Sequence, residues 1–429
     1  MKQTTDWPSV KLRAITQKIG SGATPRGGKE SYKENGITLI RSLNIYDFHF
    51  EYDGLAFIDD DQAEELANVE VQPNDILLNI TGASVARCAM VPDRVLPARV
   101  NQHVSIVRTD PTAADPFFVL YCINSPKYKQ HLLTLAQGGA TREALTKEII
   151  ENFEIHLPPI PTQRKIAAIL SAYDDLIENN TRRIKILEEM AQLIYREWFV
   201  NFRFPGHEGV RMKGGVPEGW EVVQLSDLYR TTSGGTPSRK VDEYFGGSIN
   251  WVKTQELLDS FIFETDEKIT ELGLNNSSTK VFPKNTVLIA MYGATIGKLG
   301  ILASPAATNQ ACCALLNENE PFGHAYAFLY MLANRTELVH IGMGAAQQNV
   351  SQQVIRRLKI LKPINTVVEQ FNRIVEPLLE MIKMLALKNA NLRRTRDLLL
   401  PKLVSGEVEV GEARQDYNEL GEGANSLYP

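Results

Sequence analysis

Two long stretches of the chain place apolar residues at alternating three- and four-residue spacing, which is the period of an amphipathic helix. The first covers about 162–202 and contains neither proline nor glycine, and the second covers about 364–404. In both stretches, apolar residues recur at two positions of a seven-residue repeat, which is typical of a coiled-coil seam. One seam position in each stretch is an asparagine, Asn180 in the first and Asn389 in the second. The pattern predicts two long helices that pair with each other.

The predicted seams consist mainly of aliphatic side chains. If the chain returns after its second domain, the two helices pair antiparallel. The alternative is that both are ordinary core helices of one large domain. Pro377 interrupts the second pattern and predicts a kink or the true helix start, while Pro401 predicts the helix end. The residues that we expect at the contact between the helices are Leu170, Ile177, Ile184, Leu187, Leu378, Leu385 and Leu392.

The remaining sequence contains short apolar runs between glycine and proline turn signals, which is typical of strands. The runs at 76–78 and 287–290 predict buried strands, and helical patterns occur near 116–135 and 323–340. We therefore predict an α/β fold class. It consists of two mixed α/β domains that are related by a pseudo-twofold axis and separated by an antiparallel coiled coil of two long helices.

The two halves of the chain repeat each other. Ser21-Gly-Ala-Thr-Pro25 resembles Ser233-Gly-Gly-Thr-Pro237, and Asn101-Gln102 resembles Asn309-Gln310. Further short matches follow in the same order at a spacing of about 210 residues, so chance similarity does not explain them. The series predicts two diverged copies of one domain-sized unit. One interpretation is a duplication without functional meaning. The other is a protein that recognises a ligand with two related sites, and DNA is the commonest ligand of that kind.

These patterns divide the chain into six segments. A Gly/Pro-rich stretch marks the boundary between the copies, and the polar residues after Ser405 predict a flexible tail. The segments are a first domain at 1–157, a long helix at 158–203, a linker at 204–219, a second domain at 220–363, a long helix at 364–404 and a tail at 405–429.

Composition narrows the class of protein. Of the 429 residues, 43% are hydrophobic and 23% are charged, as in an ordinary globular protein. No apolar run of about 18 residues predicts a membrane span, and the N-terminus lacks a signal peptide, so we expect a cytoplasmic protein. The four cysteines show no CxxC spacing, which fits a reducing compartment. A net charge of −5 counts against indiscriminate DNA binding, so a DNA-binding surface would be a local patch.

The common catalytic motifs are missing. The sequence has no GxxxxGK[ST] phosphate loop, no GxSxG, no HExxH and no Asn/Asp-Pro-Pro-Tyr element. The seven histidines show no metal-ligand spacing, and Asp59-Asp-Asp61 is more typical of a solvated turn than of a metal site. We therefore expect no catalytic residue, no metal and no cofactor on this chain.

Five motifs carry a resemblance to a known family. They are the two Ser-Gly-x-Thr-Pro segments, Pro158-Pro-Ile-Pro-Thr-Gln-Arg-Lys-Ile166, Ile186-Leu-Glu-Glu-Met190 with Glu197-Trp-Phe199, and Leu398-Leu-Leu-Pro-Lys-Leu-Val-Ser-Gly406. With the domain–helix–domain–helix order, they make the chain resemble, over nearly its whole length, the specificity subunit of bacterial type I restriction–modification enzymes. The second copy departs from the family pattern at Lys362–Thr366, where the helix start is less proline-rich.

The resemblance implies two target recognition domains, each of which reads one half of a split site in double-stranded DNA. It also implies that the helices bind two modification subunits, which methylate adenine, and that restriction subunits add translocation and cleavage. S-adenosylmethionine, ATP and Mg are then expected on those partner subunits.

Within such domains, side chains at base edges read the sequence, while phosphate contacts position the protein. Polar loops with small residues are therefore the candidate DNA-binding segments, and ordinary solvated loops are the alternative. The side chains differ between the copies, which predicts two different half-sites. In the first copy the candidates are Ser21, Thr24, Arg26, Lys29, Arg41, Asn44, Ser84, Arg87, Thr141 and Arg142. In the second copy they are Ser233, Thr236, Ser238, Arg239, Lys253, Gln255, Tyr292, Thr295, Lys298, Gln347 and Asn349.

Two other functions stay open at this point. One is a stand-alone DNA methyltransferase or nuclease with an unrecognised active site, which the missing motifs argue against. The other is a coiled-coil scaffold with two modules that do not bind DNA, which would lack salt-dependent, sequence-selective DNA binding. Trp198 and Phe199, near the end of the first helix, are candidates either for partner binding or for core packing.

Overall fold

The computed structural model describes residues 7–138, 143–318, 320–343 and 349–410. The chain divides into two compact units, of which unit 1 is Met1–Ile177 with Asn391–Pro429 and unit 2 is Glu178–Ala390. Each unit therefore combines one mixed domain with parts of both long helices, unlike the six-segment division expected from the sequence. The predicted flexible tail lies outside the described residues from 411 onward.

Unit 1 contains two four-stranded sheets. Both are built from short runs of aliphatic residues, and all four positions of Ile76–Asn79 are buried, as expected of a strand covered on both faces. The first sheet is antiparallel, in the order Thr16–Ser21, Val104–Thr109, Ile76–Asn79 and Cys88–Met90. The second is mixed, in the order Ala56–Ile58, Ile37–Ile40, Ala98–Val100 and Glu70–Val71, with its two central strands parallel.

Unit 2 repeats this topology. Its first sheet has the order Tyr229–Ser233, Cys312–Asn317, Val287–Ala290, Leu299–Leu302 and Ser260–Ile262. Its second sheet has the order Lys268–Ile269, Phe245–Val252, Ala306–Thr308 and Val281–Phe282, again with the two central strands parallel. Except for the added fifth strand, equivalent strands occupy equivalent places, so the predicted duplication is confirmed at the level of topology.

Short helices cover the first sheet of each domain, and those expected near 116–135 and 323–340 are present as helix pairs. Asp115 caps the first of them by accepting a hydrogen bond from the Phe118 N–H at 3.0 Å, ahead of Pro116 at the first helical position. The helices of unit 1 are Asp60–Glu65, Pro116–Asn124, Pro126–Gln137 and Lys147–Asn152. Those of unit 2 are Leu225–Leu228, Glu271–Asn275, His324–Ala333, Arg335–Met343 and Gln352–Arg357.

A two-stranded antiparallel ladder joins the beginning of each domain to its end. Ser9–Lys11 pairs with Glu154–His156 in unit 1, and Glu221–Gln224 pairs with Lys359–Lys362 in unit 2. Each ladder lies just before a long helix, so it brings the first strand of the copy next to the helix start. Two hairpins complete the strands, namely Ile45–Tyr46 with His49–Phe50 and Met212–Lys213 with Val216–Pro217.

The two predicted long helices are Ile160–Tyr195, of 36 residues, and Asn365–Val404, of 40 residues. Pro377 lies inside the second helix, so it does not mark the helix start. Pro401 also lies inside the helix, so the expectation that it ends the helix is wrong. The end is set instead by Gly406, whose φ of +72° gives the left-handed conformation that closes many helices. Within the described residues, no helix has both the length and the apolar character that crossing a membrane requires.

The long helices pair antiparallel within unit 2. The Asn180 amide donates a hydrogen bond to Asn389 Oδ1 at 2.9 Å, and Asn389 donates to the Thr181 hydroxyl at 3.1 Å. Further along, the Tyr195 ring lies 6.3 Å from the ring of Phe371. Residue numbers thus rise along one helix as they fall along the other, and the two predicted polar seam positions meet.

The same antiparallel arrangement is found in unit 1. Leu170 packs in one apolar cluster with Leu400 and Leu403. Arg396 forms a charge-assisted hydrogen bond with Asp174, which also accepts a hydrogen bond from the Tyr121 hydroxyl at 2.6 Å. Burial of an unpaired guanidinium costs free energy, and the ion pair with this carboxylate offsets that cost for an arginine at a seam position.

The predicted seam residues are all buried or half-buried. Leu170, Ile177 and Leu385 are buried. Ile184, Leu187 and Leu378 are partly buried against the core of unit 2, and Leu392 is half-buried. The cluster that holds the seam of unit 2 also contains domain residues such as Tyr326 and Phe328, so the helices are both mutually paired and part of the domain core.

Two further expectations are decided by packing. Trp198 and Phe199 lie in a π-helical turn at Arg196–Val200 and are buried in the core of unit 2, so they have no outward face for a partner. The segment 204–219, predicted as a linker, carries the second hairpin, and Phe204 packs in the same core. That segment is therefore a structured part of unit 2.

Candidate nucleic-acid interface

In both units the Ser-Gly-x-Thr-Pro loop is hydrogen-bonded to the turn that contains the repeated Asn-Gln pair. In unit 1 the Thr24 hydroxyl donates to Gln102 Oε1, and in unit 2 the Thr236 hydroxyl donates to Gln310 Oε1. We call these two contacts the Thr–Gln clasps. Both motifs are repeated in the sequence, and the structure shows that they are the two halves of one contact.

Close backbone approach explains the glycine in this loop. A Cβ atom on Gly22 would lie 1.6 Å from the carbonyl oxygen of Val100, and one on Gly234 would lie 1.9 Å from that of Thr308. Both oxygens belong to the strand just before the Asn-Gln turn. Any side chain would therefore push the loop away from the turn and break the clasp.

The asparagine of each pair shapes the turn. Asn101 Oδ1 accepts a hydrogen bond from the His103 N–H at 3.1 Å, and Asn309 Oδ1 accepts one from the Ala311 N–H at 3.1 Å. The asparagine is thus structural, while the following glutamine is left at the surface. This glutamine was missed as a candidate, although its recurrence beside asparagine in both copies was the available signal.

In unit 1 several candidate segments meet in an open depression. Thr81 and His103 are hydrogen-bonded at 2.6 Å, and His103 also contacts the side-chain nitrogen of Gln102 at 3.1 Å. A chain of hydrogen bonds therefore runs from the Thr–Gln clasp to the loop at Gly82. The depression is lined by Ser42, Leu43, Tyr46, Thr81, Gly82, Ala83, Ser84, Arg87 and His103.

Only some of the unit 1 candidates belong to this depression. Ser84 and Arg87 line it, and Thr24 reaches it through the clasp. Ser21, Arg26 and Lys29 are exposed but are not among its lining residues. Thr141 and Arg142 lie outside the described residues. Sequence reasoning missed Tyr46, Thr81 and His103, which reach the depression from separate segments of the chain.

Asn44 is buried, contrary to its prediction as a DNA-binding residue. Its side chain has no exposed surface, and its amide donates to the Glu51 and Asp53 carbonyl oxygens while its Oδ1 accepts from the Arg41 N–H. In unit 2 the matching bond runs from the Lys253 N–H to a Glu256 carboxylate oxygen at 2.7 Å. Asn44 therefore corresponds to Glu256 rather than to Gln255, and it closes a turn instead of facing solvent.

Arg41 and Lys253, which begin these turns, are partly engaged inside their own domains. The Arg41 guanidinium donates to the Gly54 carbonyl oxygen and lies 5.4 Å from the centre of the Tyr32 ring. The Lys253 ammonium is 3.7 Å from a Glu267 carboxylate oxygen. Both cations are half-buried.

In unit 2 the Ser233 loop carries a charged cluster. Arg239 donates to Glu267 at 2.7 Å and lies over the rings of Phe245 and Trp251, at 4.4 and 5.0 Å. The hydrogen bond from Arg239 lowers the pKa of the Glu267 carboxyl below its usual range, so this glutamate is negatively charged at neutral pH. Arg239 is thus held in place and partly neutralised.

The other unit 2 candidates differ in exposure. Thr236, Ser238, Gln255 and Tyr292 are exposed, whereas Ser233, Thr295 and Asn349 are half-buried. Thr295 donates a hydrogen bond to the Tyr292 carbonyl oxygen at 3.1 Å, which stabilises the Gly293 loop. Asn349 forms a β-bridge with Tyr292, and Gln347 lies outside the described residues.

Comparison with known proteins agrees with the duplicated architecture. A model of the family described as type I restriction modification DNA specificity domain matches residues 5–189 and again residues 217–392. The two matches correspond to the two copies.

Individual relatives and a solved structure extend over most of the chain. The specificity subunit of the type I restriction enzyme MjaIX from Methanocaldococcus jannaschii is 26% identical over 420 residues, which cover 95% of this chain and 94% of that protein. The HindI specificity subunit from Haemophilus influenzae is 22% identical over 409 residues, covering 80% and 88%. A crystal structure of the type I restriction–modification S subunit from M. genitalium shares the fold, with a TM-score of 0.63 at 14% identity and coverage of 94% and 98%. Since the family model matches both halves, this chain belongs to the family of type I restriction–modification DNA specificity subunits.

Proposed function

We propose that each unit of this chain reads one half of a split sequence in double-stranded DNA through the loops around its Thr–Gln clasp. The family is that of the DNA-recognition subunit of type I systems, which is not itself catalytic. The observation that carries the proposal is a shared loop frame that presents different side chains in the two units. A common frame suits one mode of docking on DNA, while the different side chains suit different bases.

The distribution of charge supports this reading. The chain as a whole is acidic, with a net charge of −5, yet Arg26 and Lys29 follow the clasp loop of unit 1 and are exposed. Lys240 occupies a comparable exposed place after the clasp loop of unit 2. Local cations of this kind suit phosphate contacts, which position a domain without selecting sequence.

The long helices are proposed to bind two modification subunits. In unit 2 they expose apolar side chains at helical spacing, which is unusual for a surface that faces only water. These are Ile186, Met190 and Leu193 on the first helix and Ile374, Met381 and Met384 on the second. Restriction subunits join the same complex in this proposal, and S-adenosylmethionine, ATP and Mg are bound by the partner subunits.

Methylome sequencing tests the proposal. A host that carries this gene with its neighbours is compared with the same host in which only this gene has an early stop codon. We expect a methylated two-part motif in the first host and its loss in the second. Methylation that persists without this chain would show that another protein selects the site.

Binding of the purified complex to a library of random duplex DNA gives an independent readout. The expected result is enrichment of the same two-part motif, with affinity that falls as salt rises. Enrichment of no sequence would favour a scaffold instead. Methylation or cleavage of DNA by this chain alone would favour a self-contained enzyme.

A further inference from the structure

Arg87 of unit 1 and Lys298 of unit 2 occupy the same place in the fold. The Arg87 N–H donates to the Ser84 carbonyl oxygen at 3.1 Å, and the Lys298 N–H donates to that of Thr295 at 2.9 Å. The Arg87 carbonyl oxygen in turn accepts from the Asn79 N–H, at 2.8 Å. The Lys298 carbonyl oxygen accepts in the same way from the Ala290 N–H, at 2.9 Å. The two cationic side chains are therefore attached at equivalent backbone positions, and their surroundings can be compared directly.

Lys298 is paired with a carboxylate of its own domain. Its ammonium lies 3.0 Å from a carboxylate oxygen of Asp259. The same carboxylate accepts two hydrogen bonds from Arg335 and one from the Leu299 N–H at 3.0 Å. Arg335 also donates to the Gly297 carbonyl oxygen at 2.9 Å, so the ion pairs bind the Gly293 loop to the body of the domain.

Arg87 has different surroundings. Its guanidinium lies over the ring of Tyr46, 4.7 Å from the ring centre. Among the residues that the structure describes, no carboxylate forms an ion pair with Arg87. The nearby carboxylate of Asp47 bonds instead to Lys129 and to the Cys88 N–H. Arg87 thus keeps its full charge and its donors, on an aromatic support at the wall of the depression.

We infer that Arg87 reads a guanine in the half-site of unit 1, with Tyr46 as the residue that positions it, and that Lys298 is a structural residue with no base to read. The inference rests on the proposed function and assigns one base contact within it. A guanidinium presents two parallel N–H donors that match the O6 and N7 acceptors of guanine. Stacking on Tyr46 restricts the plane of that fork before DNA arrives.

The position argues against a simple phosphate contact. Arg87 lines a concave surface together with Ser84, Thr81 and His103, which offer donors and acceptors of base-edge type. A phosphate contact needs only charge, which lysine supplies equally well, whereas a bidentate base contact needs the planar fork of arginine. The substitution Arg87→Lys therefore separates the two roles.

The test is Arg87→Lys in the full chain with its partner subunits, read by methylome sequencing and by selection from random duplex DNA. We expect one guanine position in one half-site to become degenerate, with discrimination at that position reduced about 10-fold or more. The other positions of that half-site and the whole second half-site should be unchanged, which also reports that the variant is folded.

Matched variants test the asymmetry and the role of the ring. Lys298→Met should leave both half-sites unchanged. Tyr46→Ala should relax the same guanine position as Arg87→Lys, while Tyr46→Phe, which keeps the stacking ring, should restore it. The inference is overturned if Arg87→Lys leaves the motif intact, or if Lys298→Met makes a position degenerate. A wild-type complex that selects no two-part motif would instead refute the proposed function on which the inference rests.

Discussion

In both units, one glycine of the Ser-Gly-x-Thr-Pro loop packs directly against the backbone of a neighbouring strand. Gly22 and Gly234 pass so close to the backbone of the neighbouring strand that a Cβ atom would overlap a carbonyl oxygen. The threonine two positions later then reaches the glutamine of the Asn-Gln turn. The motif is therefore a packing requirement that brings two loops together, and base reading is left to the side chains around it.

Substitution of Gly22 by alanine should destabilise unit 1. The new Cβ would lie 1.6 Å from the Val100 carbonyl oxygen, which is part of a strand and cannot move freely. We expect a loss of about 1–3 kcal/mol or more in the free energy of unfolding, because overpacking in a dense region costs that much. Urea denaturation of the full chain measures it.

Gly20→Ala is the matched control for that experiment. Gly20 lies two residues earlier, inside the strand Thr16–Ser21, and a Cβ there would meet no atom within 4 Å. The unfolding midpoint of the Gly20→Ala variant should stay close to that of the original protein. Equal losses in the two variants would mean that the loss of glycine itself, rather than the overlap at Gly22, matters.

At the scale of elements, the long helices tolerate residues that are normally unfavourable in a helix. Pro377 stands in the thirteenth position of a helix that runs from Asn365 to Val404. Asn180, Asn389 and Arg396 occupy buried seam positions. The asparagines form a hydrogen bond with each other and the arginine is paired with Asp174, so burial leaves no isolated charge.

Replacement of Pro377 by alanine should stabilise the second long helix. The proline side chain is exposed, so its removal sacrifices no core packing. It also lacks the N–H that would complete the helical ladder, and a proline in a helix interior is less favourable than alanine by about 3 kcal/mol. We expect a higher unfolding midpoint by thermal denaturation. A lower midpoint would show that the proline shapes a bend on which packing depends.

A double-mutant cycle on Asn180 and Asn389 tests the polar seam contact. Asn180→Leu and Asn389→Leu should each lower the free energy of unfolding by about 1–3 kcal/mol, because each removes the hydrogen bond between the two buried amides. The double variant should lose less than the sum of the two, since both amides are gone. Strict additivity in denaturant titrations would contradict a direct contact.

At the scale of the whole molecule, the chain consists of two units that share one clasp and, apart from the fifth strand in the first sheet of unit 2, one strand order. The exposed side chains of the two clasp sites differ. His103 and Thr81 of unit 1 correspond to Ala311 and Tyr292 of unit 2, since each pair holds the same backbone position. A recognition module in which the frame is constant and the contacts vary can be exchanged as a block.

Exchange of residues 214–362 for the equivalent segment of another specificity subunit should alter one half-site only. Unit 1 keeps its own loops in the hybrid, so its half of the methylated motif should persist. Methylome sequencing of a host carrying the hybrid provides the measurement. A change in both halves would contradict independent reading by the two units.

Part of the candidate site was accessible to sequence reasoning. The Ser-Gly-x-Thr-Pro repeat, Ser84 and Arg87 were found because small and polar residues recur at equivalent places. The sequence cannot distinguish Asn44 and Lys298 from polar residues that face a ligand. In the structure, Asn44 is buried in a turn and Lys298 is paired with a carboxylate. Tyr46, Thr81 and His103 come from three separate segments of the chain, so no local pattern links them.

The sequence by itself determined the duplication and the two long helices, because periodicity and ordered repeats can be read along the chain without its fold, and its motifs indicated the family. The tertiary structure alone decided that Gly406 rather than Pro401 ends the second helix, and that Trp198 and Phe199 are core residues. It alone revealed the clasps and the unequal surroundings of Arg87 and Lys298. These depend on which distant side chains come within about 3–5 Å of one another, a property that only the folded chain possesses.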